Sequence, residues 1–288
     1  MRKNIEEEIA NIHRAVVFGI RDYFKKSGFK EAILGLSGGI DSSVTACLAV
    51  RALGKKNVLG VNLPSPYSSK EGIADAKKLA KNLGIKLKIL PINSIYQVYL
   101  EFLKNYLGKK MSVAKENIQA RIRTNILMAL ANKTGALVLC TGNKSELVLG
   151  YCTLYGDLAG GLAPISDLTK SKVYQLAEYI NSKKEIIPHQ ILERPPTPEL
   201  KPGQLTEKEL FPYKILDPII ELYLEKGSSE KEIIKRGFPS KLVKWVIERI
   251  KKNEYKTKQA PPGLRVTSKA FGIGRRMPIA TKYDFDDY

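Results

Sequence analysis

The chain has 288 residues, of which 43% are hydrophobic and 27% are charged, and this composition is typical of a globular protein with a sizeable core. No run of about 18 apolar residues occurs, which argues against a membrane-spanning helix, and residues 1–17 lack the apolar stretch of a signal peptide. We therefore expect a soluble, cytoplasmic protein without a membrane partner.

Lysine and arginine number 48 against 29 aspartates and glutamates, and the resulting net charge of +19 favours anionic ligands. The lysine pairs are scattered along the chain, so nucleic acid is not the expected partner. The three cysteines, Cys47, Cys140 and Cys152, form no C-x-x-C pair. We expect them to be small buried residues rather than disulfide partners or zinc ligands.

Strand and helix patterns alternate over the first half of the chain. The predicted strands are 31–36, 57–63, 86–92 and 136–140, and the predicted helices are 42–52, 70–83, 94–107 and 117–133. This order predicts an α/β fold, a Rossmann-like parallel sheet with helices on both faces. Ligands of such sheets bind beyond the carboxyl ends of the strands.

The pattern changes after residue 185. Seven prolines between residues 188 and 218 argue against regular structure there, and helices are predicted beyond, over 218–225 and 241–252. We expect an α/β domain over 1–185. Residues 186–288 are expected to form a proline-rich loop and a C-terminal helical and irregular arm, packed on that domain or on a dimer partner. The arm ends in the acidic tip DFDDY.

The segment LGLSGGIDSS, residues 34–43, joins the first predicted strand to the next helix. Taken alone it is a strand-to-helix turn, because glycine accepts positive φ and aspartate or serine caps helices. Residues 35–39 also match the G-x-S-x-G elbow of serine hydrolases, with Ser37 as the nucleophile. That interpretation needs a later histidine, and His189, in the proline-rich region, is the one that follows.

A third interpretation of the segment is a cradle for phosphate, built from backbone amides at the start of a helix. Its donors would be the amides or hydroxyls of Ser37, Gly38, Gly39, Ser42 and Ser43. Asp41 would repel a phosphate unless a cation lay between them, so this interpretation implies Mg²⁺.

The run Ser37–Ser42 resembles the SGGxDS loop of the ATP pyrophosphatases, which split ATP between its α and β phosphates and release pyrophosphate. Longer stretches resemble the NAD synthetases of that superfamily, and especially the synthetase domain of the glutamine-dependent enzymes. These stretches are LPSPYSS (63–69), NIQARIRTNILMALAN (117–132), LCTGNKSELVLGYCTLYGDLAGGLAPISDLTKS (139–171), ERPPTPELKPGQ (193–204) and NEYKTKQAPPGLRVTSKAFGIGRRMPI (253–279).

The resemblance implies an adenine nucleotide α-hydrolase-like fold and an amidation that uses ATP as a co-substrate. Nicotinic acid adenine dinucleotide (deamido-NAD), ATP and ammonia would give NAD⁺, AMP and pyrophosphate. The resemblance also implies Asp41 and Glu146 as Mg²⁺ ligands, and Asp41 and Lys170 as catalytic residues. Beside the loop, it implies ATP contacts for Thr141, Lys170 and Thr197.

For deamido-NAD the resemblance implies contacts with Arg121, Tyr255 and Lys256. Family members bind the dinucleotide at a dimer interface, so it also implies a homodimer. Arg123 lies on another face of the same predicted helix and cannot do the job of Arg121.

Some features depart from the family pattern. By spacing, a lysine and an aspartate of the short, ammonia-dependent enzymes are replaced by Leu154 and Gly161, so dinucleotide contacts within 150–161 stay open. Glutamine-dependent enzymes carry an N-terminal glutaminase domain, and this chain begins too close to its loop to hold one. We therefore expect ammonia from solution or from a separate glutaminase subunit.

Two other functions stay open at this point. A tRNA-modifying ATP pyrophosphatase would exploit the positive charge, although thiolating members use paired cysteines that are absent here. A non-catalytic nucleotide-binding module would keep the loop but lose the metal-binding carboxylates. Asp41 and Glu146 are both present, which argues against such a module.

Overall fold

The computed structural model describes residues 2–269 and 271–279, so the predicted acidic tip lies outside the described residues. The strands are β1 (Ala32–Gly35), β2 (Val58–Asn62), β3 (Lys86–Ile89) and β4 (Leu137–Leu139). The α-helices in this part of the chain are α1 (Arg2–Ser27), α2 (Ile40–Leu53), α3 (Lys70–Leu83), α4 (Asn93–Phe102), α5 (Lys104–Leu107), α6 (Val113–Thr134), α7 (Lys144–Leu149), α8 (Lys170–Asn181), α9 (His189–Glu193), α10 (Thr206–Glu209), α11 (Tyr213–Leu224), α12 (Glu230–Lys235), α13 (Ser240–Lys252) and α14 (Glu254–Thr257).

The four strands form one parallel sheet in the order β3-β2-β1-β4, which confirms the predicted α/β fold. The chain order therefore reverses at β1, whose neighbours on its two sides are β2 and β4. Because all carboxyl ends meet at one edge, the segments that follow β1 and β4 lie side by side. This edge is where the candidate site forms.

Helices cover both faces of the sheet, as the alternation of side chains along β1 requires. Ala32 and Leu34 belong to a buried cluster that includes apolar residues of α1, α2, α3 and α8. Ile33, between them, points to the other face and joins a cluster with residues of α4 and α6. Both faces of the central strand are thus buried, which explains its continuous apolar sequence.

The described part of the C-terminal segment packs on its own chain. Val148 and Leu149 of α7 share a buried cluster with apolar residues of α11, α12 and α13. Further along, the Ala163 amide donates to the Pro262 carbonyl at 2.9 Å, and a parallel bridge joins Ala163 to Gly263. The segment after α14 therefore returns towards the β4 edge of the sheet.

Several element bounds differ from the sequence predictions. Helix α3 has the predicted limits, but every strand is shorter than predicted and the helix predicted over 94–107 is divided at Leu103 into α4 and α5. The proline-rich stretch contains the short helices α9 and α10, and α11 begins at Tyr213 with Pro218 inside it. Complete burial of Leu216 and Ile219 offsets the hydrogen bond that Pro218 cannot donate.

Helix α1 is an element that the sequence analysis missed. Its buried face recurs at helical spacing, and Ile9, Val16, Ile20 and Phe24 pack into the core. Cys47 and Cys140 are buried as predicted, whereas Cys152 is only half-buried. Within residues 2–269 and 271–279, no helix combines the length and the apolar character that crossing a bilayer requires.

Candidate active site at the carboxyl edge of the sheet

The glycine loop between β1 and α2 can be built only with glycine at position 38. Gly38 has φ +86°, and a Cβ there would lie 2.1 Å from the carbonyl oxygen of Gly72. Residue 38 therefore packs directly against the first turn of α3, and any side chain would push the loop away. This close contact fixes the loop beside the start of α2. The N-cap residue of α2 is Gly39, which has no side chain to cap the first amides of the helix.

The serine hydroxyls of the loop bind the loop itself. Ser37 Oγ lies 3.1 Å from Ser42 Oγ and accepts the Gly39 amide at 3.2 Å. Ser42 and Ser43 both donate to the Gly39 carbonyl, at 3.0 and 2.8 Å. Ser43 is completely buried, whereas Ser37 and Ser42 line the cavity described below.

Three predicted site residues meet beside this loop. The Lys170 ammonium donates to the Asp41 carboxylate and, at 3.1 Å, to Glu146 Oε1. Asn143 donates to Asp41 Oδ1 at 2.8 Å, and its own side-chain oxygen caps α7 by accepting the Glu146 amide at 3.0 Å. Asn143 therefore ties the segment after β1 to the segment after β4, a role that the sequence analysis missed.

Burial changes the acid–base properties of this group. Burial, with a smaller effect of the Asp41 charge, raises the pKa of Glu146 to about 7, although Lys170 opposes the shift. The two carboxylates raise the pKa of Lys170 above its usual range despite its burial. Lys170 is thus a fixed positive charge, only 3% exposed, between two acids that remain partly open to the cavity.

A cavity of about 600 Å³ opens in front of these residues, within the range of small-molecule sites. Most of the predicted site residues line it: Ser37, Gly38, Gly39, Asp41, Ser42, Thr141, Glu146, Lys170, Thr197 and Lys256. Three predicted residues, Ser43, Arg121 and Tyr255, are outside this lining.

The remaining predicted contacts have partners within the chain. Thr197 Oγ1 donates to the Gln204 carbonyl at 2.6 Å, inside the proline-rich loop that borders the cavity. Lys256 donates to the carbonyls of Gly150 and Cys152, both at 2.8 Å. Exposed Arg121 donates to the Leu154 carbonyl at 3.2 Å. Leu154 lies in the segment whose dinucleotide contacts the sequence left open.

Two arginines that the sequence analysis did not place in the site also line the cavity. Arg123 donates from Nε to the Leu63 carbonyl at 2.9 Å, after β2. Arg194, in the proline-rich segment, pairs with Asp75 of α3 and lies near Gly72. Both arginines lie in stretches that carry the family resemblance, 117–132 and 193–204, but their positions at the cavity depend on contacts with distant segments, at Leu63 and Asp75.

The serine hydrolase interpretation lacks a base. Ser37 lines the cavity, but neither histidine does. His189 lies on short helix α9, is mostly exposed and faces Glu193 at 3.3 Å. His13 packs against the Tyr179 ring.

The fold and the position of the site define an α/β protein whose site opens at the carboxyl edge of a parallel sheet, next to the strand where the order reverses. The model of the family described as NAD synthase matches residues 12–260, and the chain belongs to this family.

Named relatives agree with this assignment. A glutamine-dependent NAD(+) synthetase of Thermotoga maritima is 52% identical over 281 residues, covering 96% of this chain and 48% of the relative. The chain thus spans about half the length of the curated relatives it matches.

Solved structures of similar length also match. An NH3-dependent NAD synthetase from Campylobacter jejuni is 32% identical with a TM-score of 0.71, covering 87% of this chain and 96% of that chain. An NMN synthetase from Francisella tularensis is 28% identical with a TM-score of 0.74, covering 86% and 95%.

Proposed function

We propose that this chain catalyses the ATP-dependent amidation of deamido-NAD to NAD⁺. The observation that carries the proposal is the placement of Lys170 between Asp41 and Glu146, beside a glycine loop and within one cavity. Family membership supplies the reaction class, because the named relatives are NAD synthetases. The cytoplasm is the proposed location.

The first step brings a carboxylate against a polyphosphate. An oxygen of the nicotinate carboxylate bonds to the α-phosphorus of ATP, the bond from that phosphorus to the bridging oxygen breaks, and pyrophosphate leaves. The loop amides and the Lys170 charge would stabilise the phosphate oxygens during this step. Ammonia then bonds to the acyl carbon through its nitrogen, AMP leaves, and the nitrogen loses a proton to solvent.

The residues present fit Mg²⁺. Among the described residues, no group of three or more His, Cys, Asp or Glu side chains is arranged to hold a metal ion. Mg²⁺ in phosphoryl-transfer sites is held by one or two carboxylates together with substrate phosphates and water. Asp41 and Glu146, partly open to the cavity, supply such a pair. When bound, the ion would neutralise charge on the phosphates.

Dinucleotide binding is proposed for Arg121, Tyr255 and Lys256, and ATP contacts for the loop residues that line the cavity, with Thr141, Lys170 and Thr197. Ser43 is completely buried, so we assign it to the support of the loop through the Gly39 carbonyl rather than to ATP contact.

Of the three residues proposed for the dinucleotide, Lys256 has the clearest support, because it lines the cavity, where the carbonyls of Gly150 and Cys152 hold its ammonium. Arg121 and Tyr255 lie outside the lining of a single subunit. In the proposed homodimer, Arg121 and Tyr255 would contact the dinucleotide at the interface between the two subunits.

An exposed apolar patch supports the proposed homodimer. The patch comprises Ile95, Val98, Tyr99, Phe102, Tyr106 and Val113. The first four share one face of α4 by their helical spacing, and the other two follow on α5 and α6. Large exposed apolar patches mark association surfaces. Val113, at the start of α6, also lines the cavity, so the patch adjoins the candidate site.

A product assay tests the proposed function. The full chain is incubated with deamido-NAD, ATP and Mg²⁺ and with either ammonium or glutamine, and NAD⁺, AMP and pyrophosphate are measured. We expect equimolar products with ammonium, whereas glutamine should act only if a separate glutaminase subunit is added. Nicotinate mononucleotide is the comparison substrate, since one similar structure is an NMN synthetase.

Asp41→Asn is the matched variant for this assay. It keeps the shape of the side chain that Asn143 and Lys170 contact but removes its charge. We expect pyrophosphate release to be lost while the circular dichroism spectrum is unchanged. Normal turnover of this variant with Mg²⁺ would remove the metal and catalytic assignments, and turnover of the mononucleotide alone would replace the proposed substrate.

A further inference from the structure

A buried carboxylate of α11 binds the helix start that carries Lys170. Asp217 is 2% exposed, and its oxygens accept three hydrogen bonds. The donors are Ser145 Oγ at 2.5 Å, the Ser171 amide at 2.7 Å and Ser171 Oγ at 2.6 Å. All three donors are neutral groups, so the Asp217 carboxylate is held by hydroxyl and peptide hydrogen bonds rather than by an ion pair.

Ser145 continues this network to Lys170 itself. Its hydroxyl oxygen accepts the Lys170 backbone amide at 2.9 Å while its hydrogen goes to Asp217. Thr169, the N-cap residue of α8, makes no side-chain capping bond. The first two amides of α8 are therefore satisfied from α7 and α11, which replaces the usual local cap with contacts from two other helices.

Helix α11 also reaches the far end of the lysine. Tyr213, one helical turn before Asp217, places its ring 5.6 Å from Lys170 Nζ. Ser145 in turn is the residue before Glu146 on α7. One face of α11 thus binds the backbone amide of Ser171, next to Lys170, and lies beside the Lys170 ammonium. The same face binds Ser145, the neighbour of Glu146.

The charge of Asp217 has a specific use at this position. A lysine in the first turn of a helix is disfavoured by the helix dipole, and its burial adds to that cost. A carboxylate at the same terminus offsets the unfavourable dipole interaction, while Asp41 and Glu146 balance the buried charge itself. Asp217 belongs neither to the glycine loop nor to the proposed metal ligands, so its role is not part of the family pattern described above.

We infer that Asp217 is a positioning residue that, through Ser145 and the first amides of α8, holds Lys170 in register with Asp41 and Glu146. The inference rests on the proposed function for its kinetic readout. It makes α11, which lies in the C-terminal half of the chain, part of the support of the site.

The test compares Asp217→Asn, Ser145→Ala and the double variant with wild type. The control is Ile220→Val on the same helix, where a completely buried side chain belongs only to an apolar cluster.

Each single variant should lower kcat about tenfold while the KM for deamido-NAD stays within about twofold, as for supporting residues behind metal or catalytic groups. The double variant should lose no more than the worse single variant, because both act through one network. Ile220→Val should lower the melting temperature but leave kcat unchanged.

Calorimetric titration with MgATP provides a readout that needs no product. We expect the Kd to rise about threefold or more in Asp217→Asn and Ser145→Ala but not in Ile220→Val. Failure of the wild type to make NAD⁺ would remove the proposed function but not this comparison. The inference would be overturned if the Asp217 and Ser145 variants kept the wild-type kcat and Kd while their melting temperatures fell as far as that of Ile220→Val. Additive losses of kcat in the double variant would also overturn it.

Discussion

Lys170 Nζ lies 3.1 Å from Glu146 Oε1, although 24 positions separate the two residues in the chain. The ion pair joins the first residue of α8 to the third residue of α7, and Asp41 completes it from the segment after β1. Because the ammonium is nearly excluded from solvent, its charge is balanced almost wholly by these acids.

Removal of this charge tests the ion pair. Lys170→Met leaves two partly buried carboxylates without a cation, and we expect a loss of about 3–5 kcal/mol in the free energy of unfolding. Lys172→Met on the same helix is the control, because Lys172 is more exposed and its contacts with Glu8 and Glu221 are longer, at 3.5 and 3.7 Å. It should cost about 1 kcal/mol or less. Urea denaturation of both variants gives the comparison, and equal losses would contradict the assignment.

Gly38→Ala tests the close packing of the glycine loop. A Cβ at this position meets the Gly72 carbonyl, so the loop must move and MgATP binding should be lost. Gly54→Ala is the matched control, because Gly54 has nearly the same φ, +85°, but a Cβ there meets no described atom within 4 Å.

The control variant should show the backbone strain alone, about 1–3 kcal/mol, with MgATP binding retained. Calorimetry and thermal melting separate the two effects. If Gly38→Ala bound MgATP like Gly54→Ala, the loop would not be the nucleotide site.

Asp217 predicts a pH dependence of stability. Burial raises the pKa of this carboxyl above its ordinary value near 3.8, with the Ser145 and Ser171 hydrogen bonds opposing the shift. The folded protein therefore binds the proton more tightly than the unfolded chain does. The stability that this group contributes is greatest below its unfolded pKa and falls as the pH rises through the folded pKa.

Asparagine at this position does not titrate. The stability advantage of wild type over Asp217→Asn should therefore be larger at pH 4 than at pH 7, as measured by urea midpoints at both values. An advantage that grew with pH would show that the hydrogen bonds, rather than burial, decide the pKa of Asp217.

The apolar patch predicts dimer-breaking substitutions. Phe102 and Tyr106 are 82% and 86% exposed, so replacing both with glutamate should leave the fold intact and shift a dimer to a monomer. Phe18→Glu on α1 is the control, since Phe18 is also exposed but lies outside the patch. Sedimentation velocity should show the shift for the patch variant alone. A wild-type monomer at micromolar concentration would rule out the proposed dimer.

Much of the site follows from local sequence. Periodicity and glycine positions predict the parallel sheet, the limits of α3 and the loop at the carboxyl end of β1. The family pattern brings Asp41, Glu146 and Lys170 into one prediction, and the structure places them in contact. Local patterns predict the secondary structure of the proline-rich region less well, because tertiary burial allows α11 to form around Pro218.

Hydrophobic period and backbone freedom act over a few residues, so the amino-acid sequence alone predicts the fold class and the glycine loop. The family resemblance adds the acids beside that loop. The folded chain is needed to show which distant groups support that site. Asn143 bridges the segments after β1 and β4, Arg123 and Arg194 line the cavity, and Asp217 binds the start of α8. These contacts depend on how the elements pack against one another, and no short-range pattern encodes that packing because the partners of each contact lie far apart in the chain.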